Sequence, residues 1–177
     1  MRRFFALALM AAAVSTAYSE ENKNKPLELA GMKSTPPADW KEENPSNAMR
    51  QAQFKLPKAE KDKDDAELAL FAFPGGSGSL EANLKRQLDK FAEEGRKDKT
   101  DKIKVGTIEA TYQDVSGSFM KKAFPMAKDF TKMENYRQLY VVFEAKDGKQ
   151  YYLTLLGSKD TVEKHKKGFE EFLKNFK

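Results

Sequence analysis

Between Leu139 and Leu156 the chain reads LYVVFEAKDGKQYYLTLL, and no other stretch limits the fold so sharply. Two runs rich in β-branched and aromatic residues flank Asp147-Gly148, a pair that can supply the positive φ angles of a two-residue hairpin turn. The runs are therefore expected to be adjacent antiparallel strands. On the first, Leu139, Val141 and Phe143 share one face and Tyr140 and Val142 the other. On the second, Tyr151, Leu153 and Leu155 oppose Tyr152, Thr154 and Leu156. Neither strand offers water a fully polar side, and an antiparallel sheet of that kind needs a layer over each face.

Two amphipathic segments are available as layers. Leu80, Leu84, Leu88 and Phe91 recur at helical spacing, which predicts a helix over about Leu80 to Glu94, stopped by Gly95. Val162, His165, Phe169, Phe172, Leu173 and Phe176 form a second stripe, over about Thr161 to Phe176. Asp160 followed by Glu163 suggests a capping box at its start. The expected fold class is α/β (α+β): an α/β/α sandwich around a twisted, mostly antiparallel sheet with helices on both faces.

Further strands are legible. MRQAQFKLP alternates, with Ala52, Phe54 and Leu56 on one face, and Pro57 stops it. ELALFAF, Glu67 to Phe73, is apolar on both faces, so both should be covered. Lys102 to Ser116 reads as strands around Gly106. Pro36-Pro37 favour extended backbone before Trp40, the single tryptophan, which we expect to be a core anchor.

The N-terminus reads as a leader. MRRFFALALMAAAVSTAYS joins two arginines, an apolar run and small residues, with Ala17-Tyr18-Ser19 as a cleavage site. Residues 1–19 are thus expected to be a signal peptide, 20–33 a flexible, irregular lead-in, and 34–177 a single domain. The apolar run is too short to span a bilayer, so no transmembrane segment is expected after cleavage, and a periplasmic or secreted location is implied. Loss of Arg2 and Arg3 lowers the net charge from +5 to +3. The signs are interleaved, as in KAEKDKDD and RKDKTDK, which read as solvated loops rather than a nucleic-acid surface. Cysteine is absent, which excludes thiol chemistry and disulfides.

FAFPGGSGSLEANLKR raises the question of chemistry, because strand, glycine-rich turn and helix is how phosphate loops and nucleophile elbows are built. The Walker pattern fails, since no lysine follows Gly78 until Lys85, and Glu81 would repel an anion at the helix start. The elbow pattern nearly appears, with Ser77 or Ser79 as nucleophile and His165, the only histidine, as base. The simpler account is geometric: Pro74 ends a strand, the glycines reverse the chain, and Ser79 caps the helix. Residues flanking His165 supply no carboxylates at helical spacing, and no metal-ligand or cofactor motif is present. Neither a metal nor a cofactor is expected.

GSFMKKAFPMAKDFTKMENYR, Gly117 to Arg137, settles into neither strand nor long helix. A connection of this length is usually functional or disordered. Its side chains Phe119, Met120, Lys121, Lys122, Phe124, Met126, Phe130 and Met133 mix aromatic, thioether and basic chemistry, which suits an adaptable contact surface. We expect them to serve a protein partner in the envelope or outside the cell, part of them folding down as a flap. A serine hydrolase and a small apolar ligand held between sheet and helix are the alternatives.

PADWKEENPSNAMRQAQFKLP, ELALFAFPGGSGSLEANLKRQL and YLTLLGSKDTVEKHKKGFEEFLKNF resemble a set of small exported bacterial proteins of unassigned function. In layout they are similar to the PsbP-like superfamily, which includes Ran-binding Mog-type proteins. The resemblance covers roughly Ala38 to Lys177 and is most specific at the close, where a strand, Leu156-Gly157 and a helix ending in Phe172-Leu173 and Phe176 follow one another. It implies an α/β/α sandwich and binding or assembly work rather than catalysis. A leader sequence does not fit a cytosolic or nuclear GTPase partner, nothing points to a photosystem, and no functional residues transfer. A monomer is expected.

Overall fold

The computed structural model describes residues 24–75, 78–124 and 126–177. Residues 1–23, among them the expected leader, and Gly76, Ser77 and Pro125 lie outside them. A seven-stranded antiparallel sheet runs in the order β3 (Lys41–Glu43), β4 (Arg50–Leu56), β5 (Ala66–Pro74), β9 (Lys149–Ser158), β8 (Phe130–Glu144), β7 (Ile108–Lys122), β6 (Lys97–Val105). Helix α1 (Leu80–Leu88) follows β5 and α2 (Lys159–Lys174) follows β9. β1 (Leu27–Leu29) and β2 (Met32–Ser34) form a separate small hairpin.

The two-sided ribbon is present as β8 and β9, paired from Tyr136↔Ser158 to Glu144↔Gln150. Its turn is one residue longer than the Asp147-Gly148 signal implies. Ala145 N–H donates to Lys149 O, Gly148 N–H returns to Ala145 O, and among Lys146, Asp147 and Gly148 only the glycine has positive φ, at 74°. This is the three-residue loop with a glycine bulge. Asp147 closes it by accepting from Tyr151 Oη at 2.8 Å and Lys149 N at 3.1 Å.

Leu139, Val141, Leu153 and Leu155 enter one continuous core with Leu68, Leu70, Phe54 and Trp40, and α2 supplies Val162, Phe169, Phe172 and Leu173 to it. Tyr140, Val142 and Tyr152, on the other face, form a second cluster with Phe71, Phe73 and Leu84.

Four expectations are corrected. The lead-in to Lys33 is not irregular from Leu27 onward, because β1 and β2 pair there, bury Leu29 and exchange Lys33 and Lys177 backbone bonds with the C-terminus. RKDKTDK is not a loop but most of β6, an edge strand whose charges face water. α2 has Ser158 at its N-cap position, and that side chain makes no capping bond. Instead Asp62, from the loop after β4, accepts from Thr161 N at 2.9 Å and Thr161 Oγ1 at 2.5 Å. A loop carboxylate thus does the work assigned to Asp160, and the acid fits the positive helix end.

The fourth correction concerns α1, which ends at Leu88 rather than Glu94 and buries Asn83 and Gln87. Leu80 is 45% exposed, and Leu84 and Leu88 are half-buried beside an open groove. The buried arc is shifted by one residue, about 100° on a helix. The sheet beneath explains the shift. Gln113 and Gln138 are buried there, and buried amides need polar partners. Gln138 Nε2 donates to Gln87 Oε1 at 3.2 Å, and Gln113 Nε2 to Leu84 O.

Candidate functional site

The segment Gly117 to Arg137 is an arm of the sheet, not a free loop. β7 and β8 stay paired past the body, through Phe119↔Met133, Met120↔Lys132, Lys121↔Thr131 and Lys122↔Phe130. The register shifts between Gly117 and Phe119, and Asn135 opposite has φ of 54°. Such a bulge bends and twists a ribbon. Backbone bonds clasp the arm's base to the chain leaving α1: Ala92 N–H to Ser118 O at 2.9 Å and Met120 N–H to Lys90 O at 2.8 Å. Phe119 lies between Phe91 and Tyr136, with ring centroids 5.4 and 5.9 Å away.

The eight candidate contact residues therefore divide. Phe119, Met120 and Met133 are half-buried and build the arm. Phe124, Met126 and Phe130 are 61%, 87% and 53% exposed, and Lys121 and Lys122 are also exposed beside them. The tip thus presents apolar side chains framed by cations.

Ser79 and His165 are not brought together in the way a hydrolase needs. Ser79 Oγ accepts from Ala82 N at 3.1 Å, as a helix cap. His165 is buried in α2, with Nε2 2.8 Å from Pro57 O and Nδ1 3.8 Å from the Asp39 carboxylate. Both ring nitrogens face groups other than a serine. Ser77 lies outside the described residues. Among the described residues, no group of acidic or histidine side chains is placed to hold a metal ion.

Two polar constellations were not foreseen. On the α2 side, Arg137 grips Asp114 through two bonds, Nε–Oδ1 at 2.8 Å and Nη2–Oδ2 at 2.6 Å, and its third nitrogen meets Glu163 of α2. Lys166 adds a bond to Asp114 Oδ2 at 3.3 Å. This network ties α2 to the sheet.

The other lies under α1. Asn83, Gln87 and Lys90 recur at helical spacing, a polar stripe that the leucines beside it obscure in the sequence. They face Tyr140, Tyr152, Phe71 and Phe73 across a cavity of 180 Å³. Lys90 Nζ donates to Gln87 Oε1 at 2.6 Å, and Arg86 Nη1 to Asn83 Oδ1 at 2.9 Å. Burial, with Arg86 adding repulsion, pulls the Lys90 ammonium down to about 8. A depressed lysine pKa opposes folding below that value and ceases to do so as the amine neutralises. Stability should therefore rise by about 2–3 kcal/mol between pH 8 and 10, and Lys90→Met should flatten the rise in urea unfolding. Above pH 10 the trend reverses, because burial raises the Tyr140 and Tyr112 hydroxyls and unfolding then releases their protons.

The antiparallel sheet, its α2-lined core and the order of elements define a PsbP-like fold. The solution structure of cyanobacterial PsbP (CyanoP) from Synechocystis sp. PCC 6803 is similar over 93% of this chain and 98% of that one, at 12% identity and a TM-score of 0.53. The crystal structure of LpqN, involved in cell envelope biogenesis of Mycobacterium tuberculosis, is similar over 88% and 84% of the two chains, at 14% identity and a TM-score of 0.47. No protein-family profile and no curated protein matches the chain.

Proposed function

We propose that this chain is an exported, non-enzymatic binding or assembly module that contacts an envelope or extracellular protein through the tip of the β7–β8 arm. The leader at 1–19 directs it out of the cytoplasm, and the body, with the β1–β2 hairpin bound to it, acts as one monomeric domain, its sheet layered between α2 and α1. The reading rests on one observation. Of the five exposed large apolar side chains among the described residues, three, Phe124, Met126 and Phe130, gather on this one protrusion, while Met49 and Leu80 lie apart from it. Solvent-exposed apolar groups gathered in that way mark interaction sites, and aromatic, methionine and basic residues are the types that adapt to a partner surface. Among the described residues no helix is long and apolar enough to cross a membrane.

The test is a triple variant, Phe124→Ser, Met126→Ser and Phe130→Ser. These side chains contribute little to the core, so its thermal midpoint should stay within about 2 °C of the parent. Capture of a specific envelope protein by the parent chain should drop by at least ~tenfold in the variant. Equal capture by both would remove the arm from the interaction.

A further inference from the structure

We propose that the cavity under α1 is a binding site for a small aromatic carboxylate, its ring against Phe71 and Phe73 and its anionic group at Lys90 and Arg86. This is independent of the arm and its partner. The walls are aromatic: Phe71 and Phe73 stack at 6.4 Å, Phe73 meets Tyr152 edge-on at 5.7 Å, and Tyr152 stacks with Tyr140 at 6.2 Å. Phe71 and Phe73 remain half-buried, leaving ring surface for a guest. An enclosed cavity of about 150 Å³ holds one benzene ring, so this pocket of 180 Å³, open on one side to solvent, has room for one ring with one small charged group.

The polar end of the cavity is cationic. None of the described residues lining it is acidic. Lys90 forms an amide hydrogen bond to Gln87, and no carboxylate pairs with it among the described residues. An ammonium carries three donors, and one drawn out of water without a counter-charge is costly unless an anion joins it. Titratable groups perturbed by burial in a cleft cluster at functional sites. The groups facing Lys90 are Arg86 from α1, Tyr140 from β8 and Tyr152 from β9, while β5 offers only phenyl rings. A bound carboxylate would restore the lysine's affinity for its proton, so affinity should fall as pH rises past about 8.

The experiment titrates benzoate, benzyl alcohol and inorganic phosphate into the isotope-labelled chain, followed by amide NMR shifts. Benzoate should shift the signals of Gln87, Lys90, Tyr140 and Tyr152 saturably, with benzyl alcohol at least ~tenfold weaker. Lys90→Met should weaken benzoate by a similar factor and remove the pH dependence. It should still fold, since it deletes an unfavourable buried charge, and a thermal melt no lower than the parent's is the control. Should Lys90→Met not fold, the parent titration against pH carries the same test. Four results would overturn the site: no saturable shift up to about 20 mM benzoate, equal binding of benzyl alcohol, displacement of benzoate by equimolar phosphate, or unaltered benzoate binding by folded Lys90→Met.

Discussion

Trp40→Ala should lower the free energy of unfolding by about 3–5 kcal/mol, among the largest effects available to a single substitution here. Trp40 is 1% exposed and joins parts of the chain that share no other side chain of its size. Its ring centroid lies 5.5 Å from Phe172 of α2, 6.3 Å from Phe54 of β4 and 6.4 Å from His165. Its backbone is held as well, with N–H donating to Pro37 O at 3.1 Å and O accepting from Asn24 Nδ2 at 3.0 Å. The surrounding backbone thus cannot close over the vacated volume. Because Trp40 is the only tryptophan, the transition should be followed by far-ultraviolet circular dichroism in urea. A loss under about 1 kcal/mol would mean that the site collapses and that the ring is not the joint between β4 and α2.

Arg137→Met should cost about 2–4 kcal/mol, with a signature in acid. The Arg137 and Asp114 side chains are 12% and 20% exposed, so removing the guanidinium leaves a poorly solvated carboxylate with only Lys166 beside it. Burial pulls the Asp114 carboxyl up, but the bidentate Arg137 bond, the Arg137 charge and Lys166 outweigh it and hold it below the usual carboxylate range. A depressed carboxylate contributes stability that is present above its unfolded value near 3.9 and is lost as pH falls through the folded one. In the variant, burial dominates, the carboxyl rises, and stability should begin to increase as pH drops toward 4. A parent and variant with parallel stability curves between pH 3 and 6 would show that Asp114 is not held by Arg137.

Strict alternation made the sheet's centre readable. Ala52, Phe54 and Leu56, Leu68 and Leu70, and Leu139 through Phe143 all sit where period two places them. The arm was not readable for the same physical reason. The bulge at Gly117/Phe119 and the positive φ of Asn135 slip the phase of alternation in mid-strand, so β7 and β8 look aperiodic there although they remain paired. The start of α2 was misassigned because its cap comes from Asp62, ninety-nine positions away in sequence. The polar seam under α1 was missed because Leu84 and Leu88 lie one position along from Asn83 and Gln87. Only the glutamines of the sheet beneath decide which stripe turns inward. Tip residues Phe124, Met126 and Phe130 were nameable from composition, but which of the eight candidates stay accessible depends on long-range pairing.

β6 has a wider bearing. It forms one margin of the sheet, and from Lys97 to Lys102 every residue is exposed, lysines mixed with aspartates and one threonine. A second molecule adding a strand there would have to strip water from that charged row, and the opposite margin, β3, is only three residues long. Crowded copies of this chain are thereby kept from fibril-like growth. Replacing Lys99, Asp101 and Lys102 with valine would convert the same margin into a nucleus for aggregates.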